Sequence, residues 1–148
     1  MSGGQQSTVR GGCLCGAVRF QVRGPLRPVV ACHCRQCRRT SGHFVAATAA
    51  RPEHIEFLVE AGLRWYRSSD SAQRGFCGIC GASLLWRPDS GAHVSIHAGS
   101  LEEPTGLSLA AHIFTADAGD YYRIPADEPS YPQDELPLQQ PWDGEAGD

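Results

Sequence analysis

The chain contains no lysine and only one methionine, and it has no apolar run of about 18 residues. A transmembrane helix needs such a run, so none is predicted. The first twelve residues, MSGGQQSTVRGG, hold no apolar segment typical of a secretory signal. We therefore expect a soluble cytoplasmic protein with no membrane partner. In a reducing compartment its seven cysteines are expected to bind metal rather than to form disulfides.

Because lysine is absent, all 13 basic residues are arginines. Residues 1–126 contain all of them together with nine acids, and residues 127–148 add seven acids and no base, which makes the formal net charge −3. A divalent metal ion bound by three or four thiolates carries a negative charge. The arginine excess therefore offsets the expected metal sites, and it does not imply a nucleic-acid partner.

The length and composition indicate one domain built mainly of β-strands. The 148 residues suit a single domain, and 17 glycines and 10 prolines predict many turns. Val18, Phe20 and Val22 alternate with polar residues such as Gln21, which is the pattern of a half-buried strand. Further short strands are predicted at residues 29–31, 44–48, 55–59, 63–67, 83–86, 94–98 and 109–114. The one predicted helix is short and spans residues 36–40.

The predicted domain is bounded by two polar segments. Residues 1–9 are expected to be flexible, and residues 10–125 form the predicted folded domain. Residues 126–148 are acidic and rich in proline, so an extended or disordered tail is predicted there. On this interpretation, removal of the tail leaves stability nearly unchanged.

The seven cysteines fall into three groups along the chain. They are CLC at Cys13 and Cys15, CHCRQC at Cys32, Cys34 and Cys37, and CGIC at Cys77 and Cys80. A structural zinc needs four ligands, which two short cysteine pairs supply. Glycines flank both outer groups and allow the tight turns that aim backbone N–H groups at the sulfurs. This favours a closed site of Cys13, Cys15, Cys77 and Cys80, and a separate site of Cys32, Cys34 and Cys37. A single zinc that draws on the middle group is the alternative.

A three-cysteine site leaves one zinc ligand position open. Three thiolates make zinc a weaker Lewis acid than neutral ligands do, so the site suits binding of an incoming thiol as thiolate. The predicted reaction is attack of that sulfur on an electrophilic carbon. Arg35, Arg38 and Arg39 follow the site in sequence and are candidates to bind carboxylates of an anionic thiol. His33 and His43 are the candidates if a protein side chain closes the fourth position.

The segments GGCLCGAVRF, ACHCRQCRRTSGHF, GFCGICGASLLW and HIFTADAGDYY resemble the glutathione-dependent formaldehyde-activating enzyme family, whose wider group includes centromere protein V. The resemblance implies a β-tent zinc fold of several short coiled antiparallel sheets. It also implies two zinc ions per chain, with Cys13, Cys15, Cys77 and Cys80 on a structural zinc. Cys32, Cys34 and Cys37 would hold a catalytic zinc. Many relatives have lysine where this chain has Ala118.

The function that the resemblance implies is addition of glutathione to formaldehyde, which is a carbon–sulfur lyase activity. We therefore predict a zinc-dependent lyase or synthase for a small thiol and an aldehyde, with Arg35 and Arg39 as substrate contacts. A non-catalytic zinc-stabilised binding module is the alternative from another class. Capture of a thiol or aldehyde without turnover is a third. The aromatic residues Phe114, Tyr121 and Tyr122 are expected to pack in the core.

Overall fold

The structure is a computed structural model that describes residues 8–134. Ten strands and one α-helix form over this part of the chain, connected by turns that are rich in glycine and proline. The elements are β1 (Thr8–Gly12), β2 (Arg19–Arg23), β3 (Val29–Cys32), α1 (Arg35–Ser41), β4 (Val45–Ala50), β5 (Ile55–Val59), β6 (Leu63–Ser69), β7 (Ala72–Cys77), β8 (Ser83–Pro88), β9 (Val94–His97) and β10 (Leu109–Ile113). The predicted mainly β, single-domain class is confirmed.

The strands form two sheets. The smaller sheet has the order β1-β2-β5, and the larger has the order β10-β3-β4-β9-β8-β7-β6. All strand pairs are antiparallel except β3 with β10, which run parallel. The family resemblance implies antiparallel sheets, and the β3–β10 pair at this edge is the one parallel addition to them among the described strands. A parallel pair needs a long crossover, and most of the domain lies between β3 and β10.

The apolar core lies between the two sheets and follows the alternation in the sequence. Val18, Phe20 and Val22 are fully buried, and they pack with Leu84, Leu85 and Ile96 of the larger sheet. Gln21, which the alternation places on the polar face, is also buried. It is satisfied there because its amide donates a 2.8 Å hydrogen bond to Glu56 on the neighbouring strand.

The sequence does not predict two of the strands, β1 and β7. β1 begins at Thr8, inside the segment expected to be flexible, because its backbone pairs with β2 from Thr8 to Gly12. β7 has the sequence AQRGFC, which shows no apolar alternation, yet it lies between β6 and β8. The remaining predicted strands and the helix appear within a few residues of their expected positions.

Residues 129–133 lie against β10, although the sequence predicts that the chain leaves the domain at about residue 126. The His112 amide donates to the Pro129 carbonyl, and the Tyr131 amide donates to the His112 carbonyl. The Phe114 amide donates to the Gln133 carbonyl. Proline and acidic residues disfavour a core strand. The backbone of such a segment can still exchange hydrogen bonds with an edge strand, and β10 is the edge strand of the larger sheet. The rest of the predicted tail, residues 135–148, lies outside the described residues.

Over residues 8–134 no helix has the length and apolar character that crossing a membrane would require.

Candidate metal centres

The cysteines of the first and last groups meet although 62 residues separate Cys15 from Cys77. The sulfurs of Cys13, Cys15, Cys77 and Cys80 all lie within 4.8 Å of one another. The Cys13–Cys15 and Cys15–Cys77 sulfur distances are both 3.7 Å. A zinc tetrahedron with bonds of about 2.3 Å has sulfurs about 3.8 Å apart, whereas a disulfide is about 2.0 Å long. The four sulfurs therefore fit a tetrahedral zinc, and we call them the four-cysteine centre.

Backbone amides point at this centre and favour the ionised sulfurs. The Val18 amide donates to Cys13 Sγ over 3.2 Å, and the Cys80 amide donates to Cys77 Sγ over 3.4 Å. A hydrogen bond from the Ala82 backbone, with help from Cys15, lowers the pKa of Cys80 to about 6. Gly81 makes this turn possible, because its φ of 83° is a conformation that residues with a Cβ rarely adopt.

The middle group forms a second cluster, which we call the three-cysteine centre. Cys32 ends β3, Cys34 caps the N-terminus of α1, and Cys37 lies in the first turn of that helix. Their sulfurs lie within 4.8 Å of one another. Contact with the thiols of Cys32 and Cys37 and with the Cys37 amide lowers the pKa of Cys34, and contact with Cys34 raises the pKa of Cys32. The neighbouring thiols thus favour ionisation of Cys34 over ionisation of Cys32.

No fourth metal donor among the His, Cys, Asp and Glu side chains of residues 8–134 joins this cluster. His33, a candidate from the sequence, has both ring nitrogens engaged elsewhere. Its Nδ1 lies 2.6 Å from the Tyr122 hydroxyl, and its Nε2 lies 2.9 Å from Nδ1 of His112. His43, the other candidate, has Nδ1 at 2.7 Å from the Tyr121 hydroxyl. Neither histidine therefore belongs to the cluster.

A cation that sequence reasoning missed lies beside the three-cysteine centre. Arg74 on β7 is only 9% exposed, and its guanidinium lies 3.7 Å from Cys37 Sγ. The Gln36 amide oxygen accepts hydrogen bonds of 3.0 and 2.8 Å from Nε and Nη2 of Arg74. In the sequence Arg74 lies two positions from Ala72, which would place both side chains on the same face of a strand. The structure buries both residues, but this strand was not predicted.

The arginines that follow the centre in sequence occupy a different place. Arg35 and Arg39 are exposed on α1. Arg38 is half-buried and donates a 3.2 Å hydrogen bond to the Asp117 carbonyl, so it ties the helix to the segment after β10.

The aromatic residues near the end of the matched motifs do not fill the core as expected. Tyr121 is 58% exposed and Tyr122 is half-buried, because their hydroxyl groups bond histidine nitrogens. The two tyrosine rings contact each other at 4.7 Å between centroids. The expectation of core packing is wrong for Tyr121, since a phenol bonded to an exposed histidine remains at the surface.

An open cleft of about 250 Å³ lies next to Arg74, between α1 and the β6–β9 part of the larger sheet. Burial and the nearby charge of Arg74 lower the pKa of His97 in this cleft to about 4. Its Nε2 is buried and has no hydrogen-bond partner among the described residues. The cleft is thus lined by a cation, and an unpaired polar atom lies buried in its wall. Its lining residues are Thr40, Tyr66, Arg74, Gly75, Phe76, Gly81, Ser83, Leu85 and His97.

Both metal centres lie in the part of the chain that matches a known protein family. Residues 8–117 match the family described as glutathione-dependent formaldehyde-activating enzyme. The fold is similar to a crystal structure of a Rhodobacter sphaeroides protein from a structural genomics programme, with 27% sequence identity and a TM-score of 0.55. That similarity covers 66% of this chain and 91% of the other chain. All seven cysteines lie within the family match, whereas Tyr122 and Glu128 lie beyond it.

Proposed function

Because this chain belongs to the glutathione-dependent formaldehyde-activating enzyme family, we propose that it is a zinc-dependent carbon–sulfur lyase or synthase. Its substrates would be a small thiol, glutathione or a similar compound, and an aldehyde such as formaldehyde. The observation that carries this proposal is the three-cysteine centre, where no fourth protein donor from residues 8–134 joins the sulfurs. A centre that only stabilises the fold needs four protein ligands, as the other centre has.

The proposal assigns one zinc ion to each centre, with Cys32, Cys34 and Cys37 as ligands of the catalytic ion. When bound there, zinc supplies a position at which a thiol is held as its nucleophilic thiolate. The chain's own cations support the negative charge of such a site. Arg74 contacts Cys37, and the largely buried Arg27 interacts with the charge of Cys32.

The cleft beside Arg74 would hold the part of the thiol that does not react. Arg74 borders both Cys37 and the cleft, so a thiol whose sulfur is at the centre can extend along the guanidinium. Arg35 and Arg39, both exposed on α1, are the proposed contacts for carboxylates that remain in solvent. A peptide thiol with two carboxylates suits this distribution of cations better than a neutral thiol does.

A second candidate is a non-catalytic binding module, and one observation favours it. Leu14 and Ile79, at the tips of the two cysteine pairs of the four-cysteine centre, are 91% and 66% exposed. Exposed apolar side chains of this kind occur at protein contacts. This candidate predicts binding that does not depend on Cys32, Cys34 or Cys37.

Cobalt substitution tests the proposed function directly. Charge-transfer bands between cobalt and thiolates should change when glutathione is added, and S-methylglutathione, which cannot form a thiolate, should leave them unchanged. The affinity for glutathione should rise with pH below the pKa of its thiol, because binding releases a proton. A spectrum that responds to no thiol would rule out an open position and favour the binding module.

Turnover is separated from capture by kinetics. Exchange between free formaldehyde and its glutathione adduct, measured by magnetisation-transfer NMR, should be faster with catalytic amounts of the zinc-loaded protein than without it. The Cys37→Ser variant should give only the spontaneous rate. For the substrate contacts, Arg39→Ala should weaken glutathione more than mercaptoethanol, and Arg23→Ala, an equivalent change at the exposed end of β2, should weaken neither.

A further inference from the structure

Three hydrogen bonds in series connect Tyr122 to Glu128 behind the three-cysteine centre. The Tyr122 hydroxyl lies 2.6 Å from His33 Nδ1, and His33 Nε2 lies 2.9 Å from His112 Nδ1. His112 Nε2 then lies 2.6 Å from a carboxylate oxygen of Glu128. His33 is 0% and His112 2% exposed, whereas the Glu128 side chain is 41% exposed. The series thus runs from a half-buried phenol through two buried rings to a carboxylate at the surface.

The carboxylate determines the direction of every bond in this series. An ionised carboxylate only accepts hydrogen bonds, so His112 donates through Nε2–H. The Nδ1 atom of a neutral His112 must then accept a proton from His33 Nε2–H. His33 Nδ1 in turn accepts from the Tyr122 hydroxyl. The reverse direction requires a charged imidazolium at His112, and removal of an ion pair with Glu128 from water can cost more than the attraction between the two charges returns.

His33 transmits this arrangement to the cysteines because it lies between two of them in sequence. Its backbone amide donates a 3.0 Å hydrogen bond to the Ile113 carbonyl of β10. Its ring packs on Phe44 with centroids 4.8 Å apart. With backbone and ring both held, the segment that carries Cys32 and Cys34 has little freedom to move.

We propose that Glu128 is a positioning residue for the three-cysteine centre. It sets the tautomers of His112 and His33, and through His33 it orients the Tyr122 hydroxyl and holds the Cys32–Cys34 segment. Glu128 lies eleven residues beyond the end of the family match at residue 117, in a segment that composition alone presents as a tail. The effect on metal retention rests on the proposed zinc at Cys32, Cys34 and Cys37, whereas the tautomers do not.

The test uses the full chain loaded with zinc and labelled with ¹⁵N at histidine. In the wild type, His33 and His112 should both show a protonated Nε2 and an unprotonated Nδ1 near neutral pH. Glu128→Leu keeps the approximate size but removes the acceptor, so the tautomers of both rings should change. A chelator should then extract one of the two zinc ions about tenfold faster, which is the usual effect of losing a supporting partner.

Two further variants separate positioning from packing. Glu128→Gln retains an oxygen that accepts the same hydrogen bond, so it should restore zinc retention. Asp127→Asn, the same change at the exposed neighbouring acid, should behave as the wild type in both measurements. The inference is overturned if Glu128→Leu matches Asp127→Asn, if it speeds zinc loss without changing the His33 tautomer, or if His112 of the wild type is an imidazolium. Thiol binding to cobalt-loaded protein is measured separately, so a failure here leaves the proposed function standing.

Discussion

Arg74 and Cys37 approach within 3.7 Å, although 37 residues separate them in the sequence. The guanidinium also holds the Gln36 amide oxygen with two hydrogen bonds, and the Gln36 nitrogen donates to the Ser68 carbonyl over 3.0 Å. One buried cation therefore joins α1 to strands β6 and β7 at the three-cysteine centre.

Replacement of Arg74 by alanine should lower the free energy of unfolding by about 1–3 kcal/mol, because Gln36 loses its partner and a buried volume is emptied. Urea unfolding monitored by circular dichroism measures the change. Arg64→Ala, at an exposed position on β6, should stay within about 0.5 kcal/mol of the wild type. Equal stability of the two variants would show that the Arg74 contacts contribute nothing.

The two centres should respond differently to loss of a ligand. Cys15→Ser should unfold the domain, because a structural zinc contributes about 10 kcal/mol or more to folding. Cys37→Ser should leave a folded protein that retains one zinc ion. Circular dichroism and metal analysis of freshly purified protein report both properties. Equal unfolding by both substitutions, or one zinc in the wild type, would contradict the division into two centres.

Gly42 ends α1 in a left-handed conformation with a φ of 89°, and its amide donates to the Arg38 carbonyl over 2.8 Å. A Cβ at this position would meet no atom within 4 Å, so Gly42→Ala isolates the backbone strain. We expect a loss of about 1 kcal/mol in the free energy of unfolding. Gly99→Ala is the matched control, since that Cβ also enters open space and the backbone has no positive φ. Equal stability of the two variants would contradict the assigned conformation.

Truncation should depend sharply on where the chain is cut. A chain that ends at Asp134 keeps the hydrogen bonds between residues 129–133 and β10. If these bonds provide the stability that the segment adds, this chain should melt at the wild-type temperature. A chain that ends at Ala126 loses them together with Glu128, and its melting temperature should fall by several degrees, equivalent to about 1–3 kcal/mol. Differential scanning calorimetry of zinc-loaded samples makes the comparison. Equal melting temperatures of the two truncated chains would mean that residues 127–134 do not stabilise the domain.

His97 should reduce stability in mild acid. Its folded-state pKa of about 4, depressed by burial and by Arg74, lies below the ordinary histidine value of about 6.5. The unfolded chain therefore binds the proton more tightly, and the free energy of unfolding falls as the pH drops from about 6.5 to about 4. His97→Phe should show a shallower fall than the wild type above pH 5, measured by urea unfolding at constant free zinc. An unchanged slope in His97→Phe would refute the assignment.

The fold class and the cysteine groups could be predicted from the sequence because both signals are local. Alternating apolar residues at Val18, Phe20 and Val22 indicate a strand whatever its partners are. Cysteines two or three positions apart indicate metal ligands in the same way. β7 was missed because Gln73, Arg74 and Gly75 carry no such pattern, and its strand conformation comes from the neighbours that pair with it.

The sequence by itself determined that this is a small β protein with four cysteines for one centre and three for another. Only the tertiary structure decided what surrounds the three-cysteine centre: Arg74 against Cys37, and the series from Tyr122 through His33 and His112 to Glu128. The physical reason is separation along the chain, since these partners lie 16 to 89 residues apart. Local periodicity carries no information about such pairs, which meet only because β3 and β10 run side by side and β7 lies across from α1.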